Sequence, residues 1–271
     1  MARDRELDAG AGPVIPRAAI TEWSRQAPWP ADDQVEQDLV LSRLIVEIAN
    51  HPLLGHELVF RGGTCLHKVV LPTALRYSED LDYVRASHGP IGPILDAIRE
   101  IADDLGMEMR TDVHSFPKAR LRAPFESGSG PMRVKVEINT YETSPARPHH
   151  RIPYQVDSTW WSGKADVLTF QPAELVATKL RALFQRKKGR DLFDLWLALT
   201  VLGLDPAEIV ACFGPYRPDG YTAERARQGL EEHLADDRFR ADLLPLVGDV
   251  PAGYDLDAAG ALVAETLLRI V

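Results

Sequence analysis

The sequence predicts an α+β fold, a small mixed sheet with flanking helices followed by a helical C-terminal region. An apolar run at Leu58–Phe60 turns into a helix at two adjacent glycines. From Met107 to Thr140, apolar residues alternate with polar ones, as they do on the strands of a meander. From Pro172 onward they recur at helical spacing. We therefore divide the chain into an N-terminal extension (1–30), a core (31–165) and a helical C-terminal domain (166–271).

The composition sets limits on the class of protein. The chain has 271 residues, of which 45% are hydrophobic, enough for a substantial core. It has no apolar run long enough to span a bilayer, and its first residues lack the apolar segment of a signal peptide. Two cysteines, Cys65 and Cys212, indicate neither a disulfide framework nor a zinc cluster. We therefore expect a cytoplasmic protein without a membrane partner.

The charge is unevenly distributed along the chain. The net charge of −9 argues against a nucleic-acid binder judged by bulk charge alone. Basic residues nevertheless cluster at 118–122, 133–135, 147–151 and 181–190, whereas acidic residues dominate from about Glu224. An acidic body with a local basic face is compatible with an RNA partner.

The first elements surround the glycine pair Gly62-Gly63. Helices are predicted over 16–26 and from Asp32 or Asp33 to about residue 50, the second packing under the sheet. The strand at Leu58–Phe60 then turns at the glycines, which lack Cβ atoms, into a helix over 64–71 with Thr64 as its N-cap. Such a turn can present backbone N–H groups to an anion.

Two carboxylates follow on the next strand, predicted over 80–84. Asp80 and Asp82 lie two residues apart, so both side chains point to the same face of the sheet. Neighbouring carboxylates repel unless a cation lies between them, and their hard oxygens suit Mg²⁺. A phosphate cradle beside a two-carboxylate metal site is suited to phosphoryl or nucleotidyl transfer.

A third acid lies in the meander. A helix over 91–105 precedes strands predicted at 108–113, 119–123 and 132–140. On the last strand, Glu137 shares one face with Arg133 and Lys135. Glu137 is either part of a solvated strand face with basic partners or a third carboxylate of the metal site, where it could act as general base.

The C-terminal half contributes a lysine and two further acids. Residues 143–161 are expected to form a loop, followed by a short strand at 167–170 and a helix over 171–186. Lys179 borders the buried face of that helix, either reaching solvent or pointing into a cleft. In the next helix, over 191–201, Asp191 suits the helix N-terminus. Asp194 lies in so apolar a stretch that it requires a partner.

These motifs resemble a known family. Gly62-Gly63-Thr64, followed by Arg76-x-Ser78-x-Asp80-x-Asp82, is similar to the AbiEii/MenT nucleotidyltransferase toxins within the DNA polymerase β-like superfamily. Lys179 followed by Arg190-Asp191-x-x-Asp194 matches a second pattern of that family. The resemblance covers roughly residues 35 to 200. It implies a polymerase β-like core to which the helical domain contributes Lys179 and Asp194.

The resemblance also implies a function and a set of roles. Asp80 and Asp82, with Glu137 as third acid, would hold Mg²⁺ or Mn²⁺. The phosphates of an NTP would contact Gly62, Gly63, Thr64, Ser78 and Lys179, and Arg76 would either assist there or pair with an acid. Asp194 would orient Lys179 or the nucleotide. Asp191 and Lys68, which ends the glycine-turn stretch, are further candidates.

The family's partners and activity are expected to follow. The protein would be the toxin of a bacterial toxin–antitoxin system, with a cognate antitoxin, that transfers a nucleotide to the 3′ end of tRNA and blocks aminoacylation and translation. One alternative is transfer to a small molecule such as an aminoglycoside, or to a protein hydroxyl. Another is a non-catalytic binding protein, against which the intact Asp80, Asp82 and Lys179 count.

Overall fold

The computed structural model describes residues 15–113 and 116–269. Seven strands form one mixed sheet with the order β3-β4-β5-β2-β1-β7-β6. The strands are β1 (Leu58–Arg61), β2 (Asp80–Arg85), β3 (Glu108–Asp112), β4 (Lys118–Pro124), β5 (Pro131–Asn139), β6 (His150–Asp157) and β7 (Ser162–Thr169). The predicted α+β class is confirmed.

Helices flank the sheet and make up the C-terminal part of the chain. The N-terminal half contains α1 (Arg17–Trp23), α2 (Asp32–Asn50), α3 (Leu54–Glu57), α4 (Gly62–Cys65) and α5 (Gly92–Asp104). The C-terminal half contains α6 (Pro172–Gln185), α7 (Gly189–Thr200), α8 (Pro206–Ala211), α9 (Ala223–Leu234), α10 (Asp237–Ala241) and α11 (Leu256–Thr266). Within the described ranges, no helix is both long and apolar enough to cross a membrane.

The centre of the sheet brings the acidic residues together. Strand β2 runs antiparallel to β1 and parallel to β5. In this register Asp82 lies between Arg61 on β1 and Glu137 on β5, while Asp80 lies beside Lys135. Residues that are directly opposite on neighbouring strands point to the same face. The acids of β2 therefore share one face of the sheet with Glu137 and Lys135.

The two faces of the sheet differ in cover. Helix α2 packs on β5, β6 and β7, and α5 packs on β3 and β4. The side chains that point towards these helices are apolar and buried, among them Leu121, Val134 and Val136. On β4 and β5 the alternate positions, such as Arg120 and Arg133, are exposed. Period-two alternation thus separates a buried core face from an open polar face.

Two expectations about the chain around residue 150 are wrong. The segment predicted as a loop over 143–161 contains strand β6, and β7 starts at Ser162 rather than near residue 167. Strand β6 is at the edge of the sheet, where Pro153 is tolerated because its missing N–H would not be needed on the open side. The sheet therefore continues past the predicted core boundary at residue 165.

The glycine turn also differs in detail from the prediction. Helix α4 begins at Gly62, and a wider π-helical turn continues it over Leu66–Val70. Thr64 lies inside this helix and does not cap it. Gly62 has a φ of +83°, which side-chain-bearing residues rarely adopt. A Cβ at Gly62 would also lie 2.4 Å from Asp82 Oδ2, so the glycine leaves room for that carboxylate.

The C-terminal helices pack on one another and on the site. Helix α7 lies between α6 and α11, and α9 contacts α6, α10 and α11. The backbone N–H of Tyr77 donates a hydrogen bond of 2.6 Å to the carbonyl of Leu246, which follows α10. The C-terminal region therefore contacts the loop that carries Arg76 and Ser78.

Candidate active site

The paired acids of β2 lie at one end of a cleft of about 470 Å³. The cleft is lined by Gly63, Arg76, Tyr77, Ser78, Glu79, Asp80, Asp82, Lys179, Arg186, Arg190 and Leu246. These residues come from the glycine turn, from β2 and the loop before it, from α6 and α7, and from the segment after α10. The two motif segments identified in the sequence therefore meet at one site.

The carboxylate of Asp82 is in an environment that disfavours its ionised form. Burial and the neighbouring charge of Asp80 raise the pKa of Asp82, while Arg61 acts in the opposite direction. Two carboxylates side by side on one strand face disfavour each other's ionised form. A cation bound between them would relieve this repulsion.

Gly63 allows the loop before β2 to approach the turn closely. A Cβ at this position would lie 2.4 Å from Arg76 Nη2 and 3.1 Å from Ser78 Oγ. Ser78 shares a hydrogen bond of 2.8 Å with the hydroxyl of Thr64. The absence of a side chain thus brings Arg76 and Ser78 against the helix that follows the turn.

A buried ion network forms the floor of the cleft. Asp194 is fully buried and accepts hydrogen bonds from Arg76 Nε at 2.8 Å and from Arg76 Nη2 at 2.7 Å. Lys179 Nζ lies 2.8 Å from the same carboxylate. Although burial alone would raise it, Arg76 and Lys179 hold the pKa of Asp194 well below its usual range. Asp194 therefore has the partners that its apolar sequence context requires, among them Lys179.

His67 completes the network, and sequence reasoning missed it. Its Nδ1 accepts a hydrogen bond from the backbone N–H of Leu75, so its Nε2 donates to Asp194 Oδ1 at 2.9 Å. Burial and the positive charge of Arg76 lower the pKa of His67 to about 4. The ring is therefore neutral at pH 7. A histidine three residues after Thr64 carries no pattern that would have indicated this contact.

Asp191, the other acid of the motif at 190–194, is paired with Arg186. Asp191 accepts two hydrogen bonds of 2.7 Å from Arg186 and lies 3.7 Å from Lys179 Nζ. Asp191 is fully buried, whereas half of the Arg186 side chain remains exposed. Arg186 and Arg190 both line the cleft. The arginine cluster at 181–190 indicated a basic stretch, but only the fold shows which members face the site.

Glu137 lies opposite Asp82 on the neighbouring strand, but its carboxylate is paired with two lysines. Its carboxylate lies 3.3 Å from Lys118 Nζ and 3.5 Å from Lys135 Nζ. Lys135 also lies 2.9 Å from Asp80 Oδ2. In the part of the chain that the structure describes, no three acids, histidines or cysteines form a preassembled metal cluster. The donor set that fits a hard divalent cation is the pair Asp80 and Asp82.

Two predicted site residues do not face the cleft. Lys68 is buried on the α2 side, where its Nζ lies 2.7 Å from Asp38 Oδ1 and 2.9 Å from Ser42 Oγ. The π-helical turn carries it there, away from the acids. The buried Thr64 hydroxyl donates to the carbonyl of Asp80 at 2.5 Å. Thr64 therefore links the helix after the glycine turn to β2, and its contact with a phosphate stays a prediction.

Two solved structures from Helicobacter pylori support the fold, and a third structure was also matched. A protein called JHP933 from Helicobacter pylori is 16% identical, with a TM-score of 0.52 over 88% of this chain and 93% of its own. A candidate nucleotidyltransferase from H. pylori is 17% identical, with a TM-score of 0.53 over 88% and 96%. MenT4, a nucleotidyltransferase toxin from Mycobacterium tuberculosis H37Rv, is 18% identical, with a TM-score of 0.49 over 92% and 99%. No curated protein matches the chain.

A family match covers most of the chain, including both motif segments. The family described as nucleotidyl transferase AbiEii toxin, of type IV toxin–antitoxin systems, matches residues 43–262. The matched range contains the glycine turn, the acid pair of β2 and the network around Asp194. The chain thus belongs to the AbiEii family of nucleotidyltransferase toxins.

Proposed function

We propose that this nucleotidyltransferase toxin transfers a nucleotide from an NTP to the 3′ end of tRNA in a Mg²⁺-dependent reaction that blocks aminoacylation and thereby translation. The observation that carries the proposal is the cleft, where Asp80 and Asp82 face Arg76, Lys179, Arg186 and Arg190. Carboxylates for a divalent ion opposite several fixed cations suit a triphosphate. Membership of the family supports the toxin and the antitoxin partner.

Asp80 and Asp82 would hold Mg²⁺ or Mn²⁺. The raised pKa of Asp82 reflects burial and repulsion from Asp80, and a divalent cation would offset both. Bound there, the ion would neutralise charge on the triphosphate and on the attacking hydroxyl. Glu137 is adjacent in the register, and with Lys118 and Lys135 released it could act as general base.

The remaining residues would bind the triphosphate and stabilise the leaving pyrophosphate. Gly62 and Gly63 leave room beside the turn for Asp82 and Arg76, and Ser78 contributes a hydroxyl at its edge. Lys179, held by Asp194, would neutralise the charge that develops on the leaving group. Because Asp194 fixes both Lys179 and Arg76, little reorganisation would be needed when the nucleotide binds.

The charge of the cleft favours a polyanionic acceptor over a cationic one. Three acids, Glu79, Asp80 and Asp82, line the cleft together with four cations, and a divalent ion held by Asp80 and Asp82 would leave the cations in excess. A cationic antibiotic would instead require a predominantly acidic cleft. The basic residues continue onto the outer face of β4 and β5 beside Asp80. Transfer to a small molecule or to a protein hydroxyl remains an outcome that the following experiment separates from transfer to RNA.

The experiment is a transfer assay with purified protein. Total bacterial tRNA, Mg²⁺ and each radiolabelled NTP are incubated in turn with wild type and with Asp80→Ala. We expect label in tRNA with one or two of the nucleotides, and a loss of more than about a hundredfold in Asp80→Ala. Omitting Mg²⁺ should have the same effect as the substitution.

The outcomes distinguish the alternatives. If folded wild type binds nucleotide but labels no tRNA, the tRNA proposal fails, and aminoglycosides and protein extracts become the acceptors to test. If the protein also never consumes nucleotide, and binds its antitoxin equally well without Asp80 and Asp82, a non-catalytic binding role replaces transfer.

A further inference from the structure

Basic side chains form straight rows across the outer face of the sheet. The register pairs Arg110 on β3 with Arg120 on β4, and Arg120 with Lys135 on β5. Lys135 in turn lies opposite Asp80 on β2. Directly opposite residues share a face, so these four side chains form one row that ends at the catalytic strand. With a spacing of about 4.8 Å between strands, the row is about 14 Å long.

A second row runs beside the first. Arg122 on β4 lies opposite Arg133 on β5, with Glu108 of β3 next to Arg122. The two rows line a groove of about 1020 Å³ that reaches Glu79 and Asp80, and therefore adjoins the cleft. The residues that line this groove are Glu79, Asp80, Glu108, Arg110, Arg120, Leu121, Arg122, Arg133, Val134 and Lys135, of which Leu121 and Val134 point their side chains to the opposite, buried face.

This arrangement is unfavourable for the folded protein by itself. Like charges directly opposite on neighbouring strands destabilise a sheet. Here that situation occurs three times, at Arg110 with Arg120, at Arg120 with Lys135, and at Arg122 with Arg133. The whole chain carries a net charge of −9, so a concentration of cations on one face is not a consequence of composition.

Most of these cations lack an acidic partner. Arg120 lies 3.7 Å from Asp112, and Lys135 is bound to Asp80 and Glu137. Within the described ranges, neither Arg122 nor Arg133 forms an ion pair, and the buried Nε of Arg122 has no hydrogen-bond acceptor. Their guanidinium groups are thus available to a ligand that carries several negative charges.

We propose that this outer face of β3, β4 and β5 binds the phosphate backbone of the acceptor RNA and directs its 3′ end to Asp80. We call this face of β3, β4 and β5 the RNA track. The proposal rests on the proposed function for the chemistry at Asp80, where the RNA track ends. Cations on successive strands suit the repeating phosphates of a polynucleotide, and a groove open along its length admits a chain. Lys135 contacts both Asp80 and this face, so the two sites are continuous.

The test measures RNA binding separately from transfer. Fluorescein-labelled total bacterial tRNA is titrated with protein at several NaCl concentrations, and anisotropy gives the Kd. Wild type is compared with Arg120→Gln/Arg122→Gln/Arg133→Gln, with Asp80→Ala, and with Arg25→Gln/Arg99→Gln/Arg227→Gln. The last variant makes the same change in charge at exposed positions outside the groove.

The groove variant should raise the Kd about tenfold or more, whereas the control variant should leave it within about twofold. Each phosphate that the protein no longer binds lowers the slope of log K against log [NaCl] by about one, so the slope should fall by about two to three. The Tm of the groove variant, and its shift on addition of each NTP, should match wild type.

The two proposals fail in different ways. Groove and control variants that bind tRNA equally well, or a wild type that binds no tRNA, would overturn the RNA track. If wild type and Asp80→Ala bind tRNA through the groove but no label is ever transferred, the RNA track stands and transfer to tRNA fails. If wild type transfers label and the groove variant does so equally well at limiting tRNA, transfer stands and the RNA track fails.

Discussion

The floor of the cleft and the outer face of β3–β5 use the same kinds of cation in opposite ways. On the floor, Arg76 and Lys179 are buried, and both contact Asp194. On the outer face, Arg120 and Arg133 are exposed and face other cations. A buried charge without a partner costs several kcal/mol, whereas an exposed one costs little. Burial therefore separates cations whose position is fixed by a shared acid from cations that are exposed to solvent beside one another.

The largest effect is expected where a buried partner is removed. Asp194→Ala leaves Arg76 and Lys179 buried without their shared carboxylate. We expect the free energy of unfolding to fall by about 3–5 kcal/mol, measured by urea denaturation. Transfer should be lost as well, since both cations lose their orientation.

An exposed pair provides the matched control for this substitution. Arg240 Nη1 lies 2.8 Å from Asp257, but 61% of the Asp257 side chain is exposed. Asp257→Ala should leave the midpoint of urea denaturation close to that of wild type, because solvent screens an exposed ion pair. Equal costs for Asp194→Ala and Asp257→Ala would mean that burial does not separate the two regions.

Lys68 is a second buried cation, and it tests whether a buried ion pair with an acid is enough to imply a role in the candidate active site. Lys68→Met keeps the approximate volume of the side chain and leaves Asp38 with hydrogen bonds from the indoles of Trp23 and Trp29. We expect a loss of about 1.5–3 kcal/mol in unfolding free energy. Nucleotide transfer per folded molecule should be unchanged, and a specific loss of kcat would return Lys68 to the site.

The neutral histidine of the floor should make stability depend on pH. The pKa of His67 is about 4 in the folded protein, below its ordinary value of 6.5, so the unfolded chain takes up the proton first as the pH falls. The stabilising contribution is therefore present above pH 6.5 and is lost between pH 6.5 and pH 4. From pH 7 to pH 5 the loss should be about 2 kcal/mol.

The measurement compares wild type with His67→Gln by urea denaturation at both pH values. A glutamine can donate to Asp194 and accept from the Leu75 N–H, but it does not titrate. The difference in stability between pH 7 and pH 5 should shrink by about 2 kcal/mol in this variant. An unchanged pH dependence in His67→Gln would contradict the neutral ring.

The smallest effect is expected on the outer face. Arg122→Gln/Arg133→Gln removes a pair of like charges that lie opposite each other. We expect the free energy of unfolding to stay within about 0.5 kcal/mol of wild type or to rise. A clear loss of stability would show that these arginines support the fold, and it would weaken the contrast between the two regions.

Local patterns were sufficient to predict much of the fold and the centre of the site. The amphipathic helix around Ile94 and Ile98 and the alternation of β5 were correctly predicted because their periodicity is set by neighbouring residues. The contact between Lys179 and Asp194 agrees with the expectation that an acid in an apolar helix needs a partner. The contribution of each residue to catalysis stays a prediction.

The remaining features depend on contacts between distant parts of the chain. His67 and Asp194 are 127 positions apart, and no sequence spacing indicates that they meet. Lys68 lies on the π-helical turn, and its contacts with Asp38 and Ser42 of α2 follow from packing that no sequence spacing indicates. Strand β6 was missed because three prolines, at 145, 148 and 153, suggested a loop, whereas pairing with β7 makes it an edge strand.

The hydrogen bond between Tyr77 and Leu246 limits which segments of this toxin can be exchanged with those of a relative. The two residues belong to opposite halves of the chain, yet their 2.6 Å contact holds the loop that carries Arg76 and Ser78. Leu246 itself forms part of the cleft wall. The two halves of the chain therefore cannot be exchanged independently, and a chimera that takes the C-terminal helices of a relative would also change the wall of the cleft.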